Sequence, residues 1–362
     1  MLTNYYVQGI AQNYLKNIAE PPKAFTVHPS FMRGLEPDEF YDGFTALHGL
    51  MRGLLSDIIQ EPETFGMLLK ECVEDDPKNP DYTNSNASFI RVPNLLLVLG
   101  VNSALTPDGV MQIEGQALSA AAKELKITNT PFLLGKLRDY GFVIEGLGKT
   151  VKPNDMITLT YPDCPSLTAA LKAMAEALLA VNKGDIKKSK NFFYMLNSKL
   201  LANDKGKAPK LEIDDMLRTI EGEQRAAVRR LHDFAAQAAK PVIKMGGFMR
   251  NDWSCVYTAN KSNRVLMTIH VNQDKVSAKL NLQHIGGYID RLRGYSGGVL
   301  ETIRSSGWDC GHCSEGCSGG FAFELDGQSY NKCRCGSFLF DRVAADTVTV
   351  YEEMLQMELE SA

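Results

Sequence analysis

Five of the eight cysteines in this 362-residue chain lie between Cys310 and Cys335, in the run Cys310-Gly-His-Cys313-Ser-Glu-Gly-Cys317 and the pair Cys333-Arg-Cys335. Thiolates at such spacing suit a tetrahedral Zn²⁺ ion, which takes sulfur ligands at about 2.3 Å. A Cys-x-x-Cys pair chelates from one tight turn, and Gly311 and Gly316 give the loop the backbone freedom to turn back on itself. Cys310, Cys313 and Cys317 are therefore expected to supply three ligands, and Cys333 or Cys335 the fourth. His312 is placed to substitute for one of them. Three other uses of the same residues stay open. They are small core-filling thiols, a redox pair at Cys310 and Cys313, and disulfides if the chain is exported. A closed four-cysteine site stabilises a fold and catalyses nothing, whereas a fifth sulfur would permit ligand exchange in a metal or redox sensor.

The remaining chemistry is thin. His270 falls in an apolar run and reads as a sheet or core residue. His284 precedes Gly286-Gly287, and no carboxylate stands at a telling spacing from it. There is no phosphate-binding glycine loop with its lysine, no serine elbow and no His-Glu-x-x-His. No catalytic set is found. If the C-terminal third held a small molecule, Trp253, Tyr257 and Tyr288 would be the pocket walls.

Bulk properties bound the classes. Hydrophobic residues make up 44% and charged residues 23%, ordinary for a globular protein with a substantial core. A formal charge of −4 argues against a chain coated for nucleic acid or membrane, though not against a local basic patch. The polar start MLTNYYVQGIAQNYLKN lacks the apolar segment of a secretory signal. No apolar run approaches the roughly 20 residues of a spanning helix. A cytoplasmic protein without membrane contact is expected, the setting in which clustered cysteines hold metal.

The elements that must position these groups fall into three regions, 1–85, 86–205 and 206–362. In the first, Phe40, Phe44, Leu47, Leu50, Met51, Leu54 and Leu55 recur at helical spacing. The acidic, proline-bearing stretch 74–88 reads as a linker. From Val92 the order is an apolar helix, a turn at Thr106-Pro-Asp-Gly109, a short strand, a helix from about Gln116 to Lys126, and a second helix from Thr130 to Tyr140. Pro131 suits that helix's first turn and Gly141 its left-handed stop. A hairpin, Phe142–Glu145 and Met156–Tyr161, completes the series. This order over 91–162 resembles a winged helix-turn-helix. The resemblance implies that Thr130–Tyr140 is the recognition helix and Gly146–Asn154 the wing. DNA would then be met by Asn129, Thr130 and Lys136 in a groove, and by Lys149 and Lys152 on phosphate. The module itself is neutral, with seven basic and seven acidic residues over 87–163. The segment 182–210, with eight lysines and two aspartates, is the most basic in the chain.

After a long helix expected over Leu211–Lys240, the pattern turns to short strands: Trp253–Tyr257, Arg264–Val271 and Lys275–Leu282. Helical pieces near 285–293 and 299–304, a hairpin Phe321–Phe323/Tyr330–Cys333 and a final helix Ala344–Leu359 follow. This third resembles a group of uncharacterised bacterial domains. The shared features are Trp253-x-x-x-Tyr257, Cys310/Cys313/Cys317, Gly327-x-x-Tyr330-x-x-Cys333 and Phe338-x-Phe340. The resemblance implies that Cys310, Cys313, Cys317 and Cys333 are the principal ligands and that Cys335 is additional. It implies no activity.

The expectation is an α+β, multi-domain chain: a helical N-terminal region, a winged-helix-like module and a C-terminal α+β domain with a zinc-binding cysteine cluster. As a function this reads as a DNA-binding transcriptional regulator, forming a homodimer and answering to a small-molecule effector. The alternatives are a zinc-stabilised binding or scaffold protein that leaves nucleic acid alone, and a small-molecule enzyme using a C-terminal cleft.

Overall fold

Glu36-Pro37-Asp38-Glu39 contains the ingredients of a helix start. The Glu36 N–H donates to the Glu39 carboxylate at 3.1 Å, Pro37 opens the first turn, and Asp38 and Glu39 sit at the positive end of the dipole. In a computed structural model of the chain, this start leads a 24-residue helix. The structure describes residues 5–66, 91–193, 195–247, 251–295, 297–307, 310, 311, 315, 319–334 and 336–361. The fold is mixed α+β, in two compact units, Met1–Lys210 and Leu211–Ala362. The linker reading at 74–88 and the break near residue 85 fall outside the described residues.

In the first unit, helices α1 (Tyr5–Asn17), α2 (Pro29–Met32) and α3 (Pro37–Gln60) precede α4 (Arg91–Asn102). The stripe Phe40, Phe44, Leu47, Met51, Leu54, Leu55 and Ile58 of α3 is fully buried. Helix α7 (Ser166–Val181) packs against both α3 and α4. Contact on two sides explains why Leu167, Leu171, Met174, Ala175 and Leu178 are all buried, so the helix is apolar almost all round. Lys172 is the exception on its buried surface. Its Nζ donates to the Ser103 carbonyl at 2.6 Å and lies 3.0 Å from Glu176, so the ammonium caps the C-terminal end of α4.

Between α4 and α7 the chain forms β1 (Ala104–Leu105), β2 (Met111–Glu114), α5 (Gly115–Glu124), α6 (Thr130–Leu137), a 3₁₀ turn over Arg138–Tyr140, β3 (Val143–Glu145) and β4 (Met156–Thr160). The strands make one antiparallel sheet in the order β1-β2-β4-β3. The second helix starts at Thr130 as expected and ends at Leu137, passing into the 3₁₀ turn. Asn129, with φ of +56°, is the residue before the helix, so Thr130 lies inside it, behind a left-handed turn that asparagine tolerates better than threonine. Gly141 takes φ of +91°, the left-handed stop read from sequence. After α7 come α8 (Ile186–Phe193) and a 3₁₀ turn over Ser198–Ala202.

The second unit begins with α9 (Ile213–Leu217) and α10 (Gly222–Ala238) where one long helix was expected. Gly222 at φ of +61° breaks it, and Ala239 already pairs in a sheet. Strands β5 (Ala239–Gly247), β6 (Asp252–Ala259), β7 (Val265–Asn272), β8 (Lys275–Leu280) and β11 (Phe338–Phe340) form an antiparallel sheet, ordered β11-β8-β7-β6-β5. Pro241 is tolerated because β5 is an edge. On β6 the residues Trp253, Cys255, Tyr257 and Ala259 point inward and are buried, while Ser254, Val256 and Thr258 are half-exposed. Helix α10 packs on this sheet and on the last helix, α12 (Ala345–Glu360). Helix α11 (Gly297–Ser306) leads to the hairpin β9 (Gly320–Leu325) and β10 (Gln328–Cys333), closed by Asp326-Gly327, both at positive φ. Among the described residues, no helix is long and apolar enough to cross a membrane.

Candidate functional site

The segment 146–155 is seated by the start of α5. The N–H groups of Gly115 and Gln116 donate to the carbonyls of Asp155 (2.7 Å) and Pro153 (3.0 Å), so the loop satisfies donors that a helix start leaves open. A Cβ at Gly115 would stand 1.9 Å from the Lys152 carbonyl oxygen, and only glycine allows this approach. The seating carries Lys149, Thr150 and Val151 beside the outward face of α5. There they line a hollow of ≈ 630 Å³ together with Ser119, Lys123, Lys126 and the turn Thr128–Pro131. Lys126 and Asn129 both take left-handed backbone in that turn, Ile127 is buried beneath it, and Arg91 donates to the Thr128 hydroxyl at 2.7 Å.

A second hollow of ≈ 660 Å³ shares Lys123 and Lys126 with the first and adds Ala120, Glu124, Lys187 and Lys190. The last two come from α8, which Ile186 and Ser189 anchor by burial and Asp185 starts by accepting from the Lys187 N–H at 3.0 Å. Five lysines from α5, its following turn, the 146–155 loop and α8 thus border one continuous concave surface. It holds a single carboxylate, Glu124, 3.9 Å from Lys187. The N-terminus of α6, the positive end of its dipole, opens on the same surface at Thr130 and Pro131.

The residues singled out from sequence divide. Asn129, Thr130 and Lys149 lie on this surface. Lys152 is exposed beside it, with its N–H bonded to Asp155 at 2.7 Å. Lys136 is not presented to solvent in the way a groove contact requires. Its side chain is 20% exposed, its Nζ lies 3.0 Å from Asp139 and 5.1 Å from the Phe65 ring centre. Four residues on, the Tyr140 hydroxyl donates to Asp57 at 2.6 Å, and burial together with that carboxylate raises its pKa. Four residues back, Phe132 approaches Gly66, where a Cβ would stand 3.3 Å from its ring. Lys136 on α6 and Tyr140 in the 3₁₀ turn after it therefore face residues 57–66, while Phe132 stays 48% exposed beside Gly66. Spacing within the module gave no sign of this, because the contacting residues, 57–66, lie outside it in the chain.

In the second unit, Trp253, Tyr257 and Tyr288 are 1, 0 and 3% exposed, so they are core residues and not the walls of an open cleft. The Tyr257 hydroxyl sits 2.9 Å from His232 Nδ1 on α10, and burial raises the phenol's pKa. Tyr288 donates to Glu358, a carboxylate with no exposure at all. Glu358 also accepts from Arg264 (2.6 Å), the N–H groups of Gln283 and His284 (both 3.0 Å) and His284 Nδ1 (2.9 Å). Five donors fill the roughly four acceptor positions of a carboxylate. The buried charge is matched by Arg264 and leaves nothing over for a ligand. Sequence spacing missed this cluster because its members lie 70 to 94 residues from Glu358.

Of the cysteines, Cys313, Cys317 and Cys335, with His312, lie outside the described residues. Cys310 and Cys333 come together around Gly320. The Cys310 N–H donates to the Asn331 carbonyl at 2.5 Å, and Gly320 pairs with Cys333 across the hairpin. A Cβ at Gly320 would meet Cys310 Cβ at 3.1 Å and Asn331 Oδ1 at 2.3 Å. Facing Cβ positions in a sheet lie about 5 Å apart, which places the two cysteine Cβ atoms within about 8 Å of each other. Among the described residues, no three His, Cys, Asp or Glu side chains are grouped to hold a metal. The chain matches no family model, no curated protein and no solved structure.

Proposed function

We propose that this chain is a cytoplasmic regulator that contacts DNA through its first unit and carries a zinc-stabilised second unit. The observation that carries the proposal is the convergence of Lys123, Lys126, Lys149, Lys187 and Lys190 on one concave surface. The module over 87–163 is neutral by composition, and the lysines of α8 supply the positive face it lacks. Helix, strand, two helices and a hairpin in the sheet order β2-β4-β3 support reading it as winged-helix-like. Exposed lysines are suited to phosphate, since neutralising phosphates and releasing their counterions provides most non-specific affinity.

In the second unit, zinc would be held by Cys310, Cys313, Cys317 and Cys333. Bound there, it supplies cross-linking of the loop to the hairpin and no catalysis. Gly320 gives the closest support, because any side chain in its place would collide with Cys310 and Asn331. The buried state of Trp253, Tyr257 and Tyr288 offers no support to an effector pocket among them, and none is proposed.

The test is fluorescence anisotropy with a labelled 20-base-pair duplex at low salt. The triple variant Lys123→Glu/Lys149→Glu/Lys187→Glu is expected to lose binding while keeping its helical circular dichroism. Binding at wild-type strength by that variant removes the first unit from any DNA role. A second reading, a zinc-stabilised binding protein without nucleic-acid contact, is favoured by one observation: Phe65 and Asp57 engage Lys136 and Tyr140 on the face that would enter a groove.

A further inference from the structure

We infer that the lysine surface takes the phosphate backbone of duplex DNA without reading its bases. This rests on the DNA reading above and narrows it from sequence-specific recognition to backbone contact. Base readout by a helix needs side chains that reach base edges in the groove. Of the outward positions on α6 and the 3₁₀ turn after it, Lys136 and Tyr140 are engaged with Phe65, Asp139 and Asp57, and Phe132, though 48% exposed, has no hydrogen-bonding group to read a base edge.

The cationic groups on the surface are five lysines. Each is a point charge on a flexible stem, without the planar fork that lets arginine address guanine through two bonds. Besides Glu124 and the single amide of Asn129, the two hollows are lined otherwise by Ser, Thr, Ala, Pro and aliphatic residues, and among the described residues no aromatic ring lines them for an unstacked base to stack on. Single-stranded binders depend on such rings. A small phosphate fits poorly as well. Lys123, Lys126, Lys149 and Lys187 are exposed, and a lone anion there would be held in high dielectric by screened charges. Only a polyanion that meets several lysines at once gains from their spread over two adjoining hollows.

The inference fixes the salt response. Five phosphate contacts give a slope of log K on log salt of about −4.5, so affinity falls about 500-fold between 50 and 200 mM salt. The experiment measures anisotropy for three unrelated 20-base-pair duplexes and one single strand of equal length, with inorganic phosphate at 5 mM as competitor. Expected are affinities within about threefold of each other for the duplexes, weaker binding of the single strand, and no displacement by phosphate. Lys123→Ala, Lys149→Ala, Lys187→Ala and Lys190→Ala should each reduce the slope by about 0.9 without changing the melting temperature. Selectivity above about thirtyfold among the duplexes, preference for the single strand, displacement by phosphate, or a slope indifferent to all four substitutions overturns it. Absence of binding to every duplex at 50 mM salt overturns the DNA reading itself.

Discussion

The two units use charge in opposite ways. On its lysine surface the first, unlike at its buried Lys172, leaves Lys123, Lys126, Lys149 and Lys187 exposed, where they keep their water and each loses little by folding. The second draws a carboxylate wholly inside, and every lone pair of Glu358 is then committed to Arg264, Tyr288, His284 or a backbone N–H. Hydration marks the division of labour. A charge that keeps its shell stays available to a partner, and one stripped of it is available only to the fold.

Substitutions separate these roles. The largest effect is expected from Glu358→Ala, which strands a largely buried guanidinium and two N–H groups. Loss of one partner of such a pair costs about 3–5 kcal/mol. Urea denaturation of the second unit reads it directly, and a loss below about 1 kcal/mol would show that the cluster is incidental. Next comes metal. If zinc binds the folded second unit alone, free ion at a hundredfold its dissociation constant stabilises it by about 2.7 kcal/mol. A chelator, or Cys310→Ser with Cys333→Ser, should remove that increment and leave the first unit's transition in place. An identical melting curve with and without chelator ends the zinc proposal.

Smaller effects follow. Gly115→Ala sets a methyl group against the Lys152 carbonyl and should cost about 1–3 kcal/mol, the usual range for overpacking. It should also weaken DNA binding by shifting Lys149, which tests whether the seating of the loop shapes the surface. Acidification sharpens the contrast between the units. His232, on Tyr257, and His270, near Lys279, both have pKa values lowered below 6.5, chiefly by burial. The unfolded chain therefore takes up protons near pH 6.5 that the fold refuses, so the second unit should lose stability as the pH falls below 6.5. His232→Gln should flatten that dependence, and an unchanged slope would assign it elsewhere. Smallest is the effect of the surface lysines on folding: Lys123→Glu or Lys187→Glu should stay within about 0.5 kcal/mol of wild type, though both disrupt binding.

What could be read from sequence followed local rules. The α3 stripe, the Pro131 and Gly141 signals and the Asp326-Gly327 turn depend on neighbours along the chain, and the elements fall close to where those signals put them. Local reasoning failed where distant residues decide. Ala239–Gly247 carries a proline and two glycines and looks like the frayed end of a helix, yet pairing along β6 makes it an edge strand. Trp253 and Tyr257 look like pocket walls until α10 covers their face. Lys136 reads as a groove contact because nothing near it in sequence announces Phe65. For the cysteines, spacing pointed to one site, of which Cys310 and Cys333 alone are among the described residues. The basic surface was half legible: the lysines of 182–210 were visible as a run, but which helix they would stand beside was not.

Glu358 also has a place in time. Arg264 and His284 are made 94 and 74 residues before it. At roughly 5–20 residues per second, a ribosome needs about 5–20 s to travel from the arginine to the glutamate. Through that interval the sheet can assemble but its central anion has not yet been synthesised. Until Glu358 emerges, the guanidinium of Arg264 and the ring of His284 have no carboxylate to meet at that place in the fold.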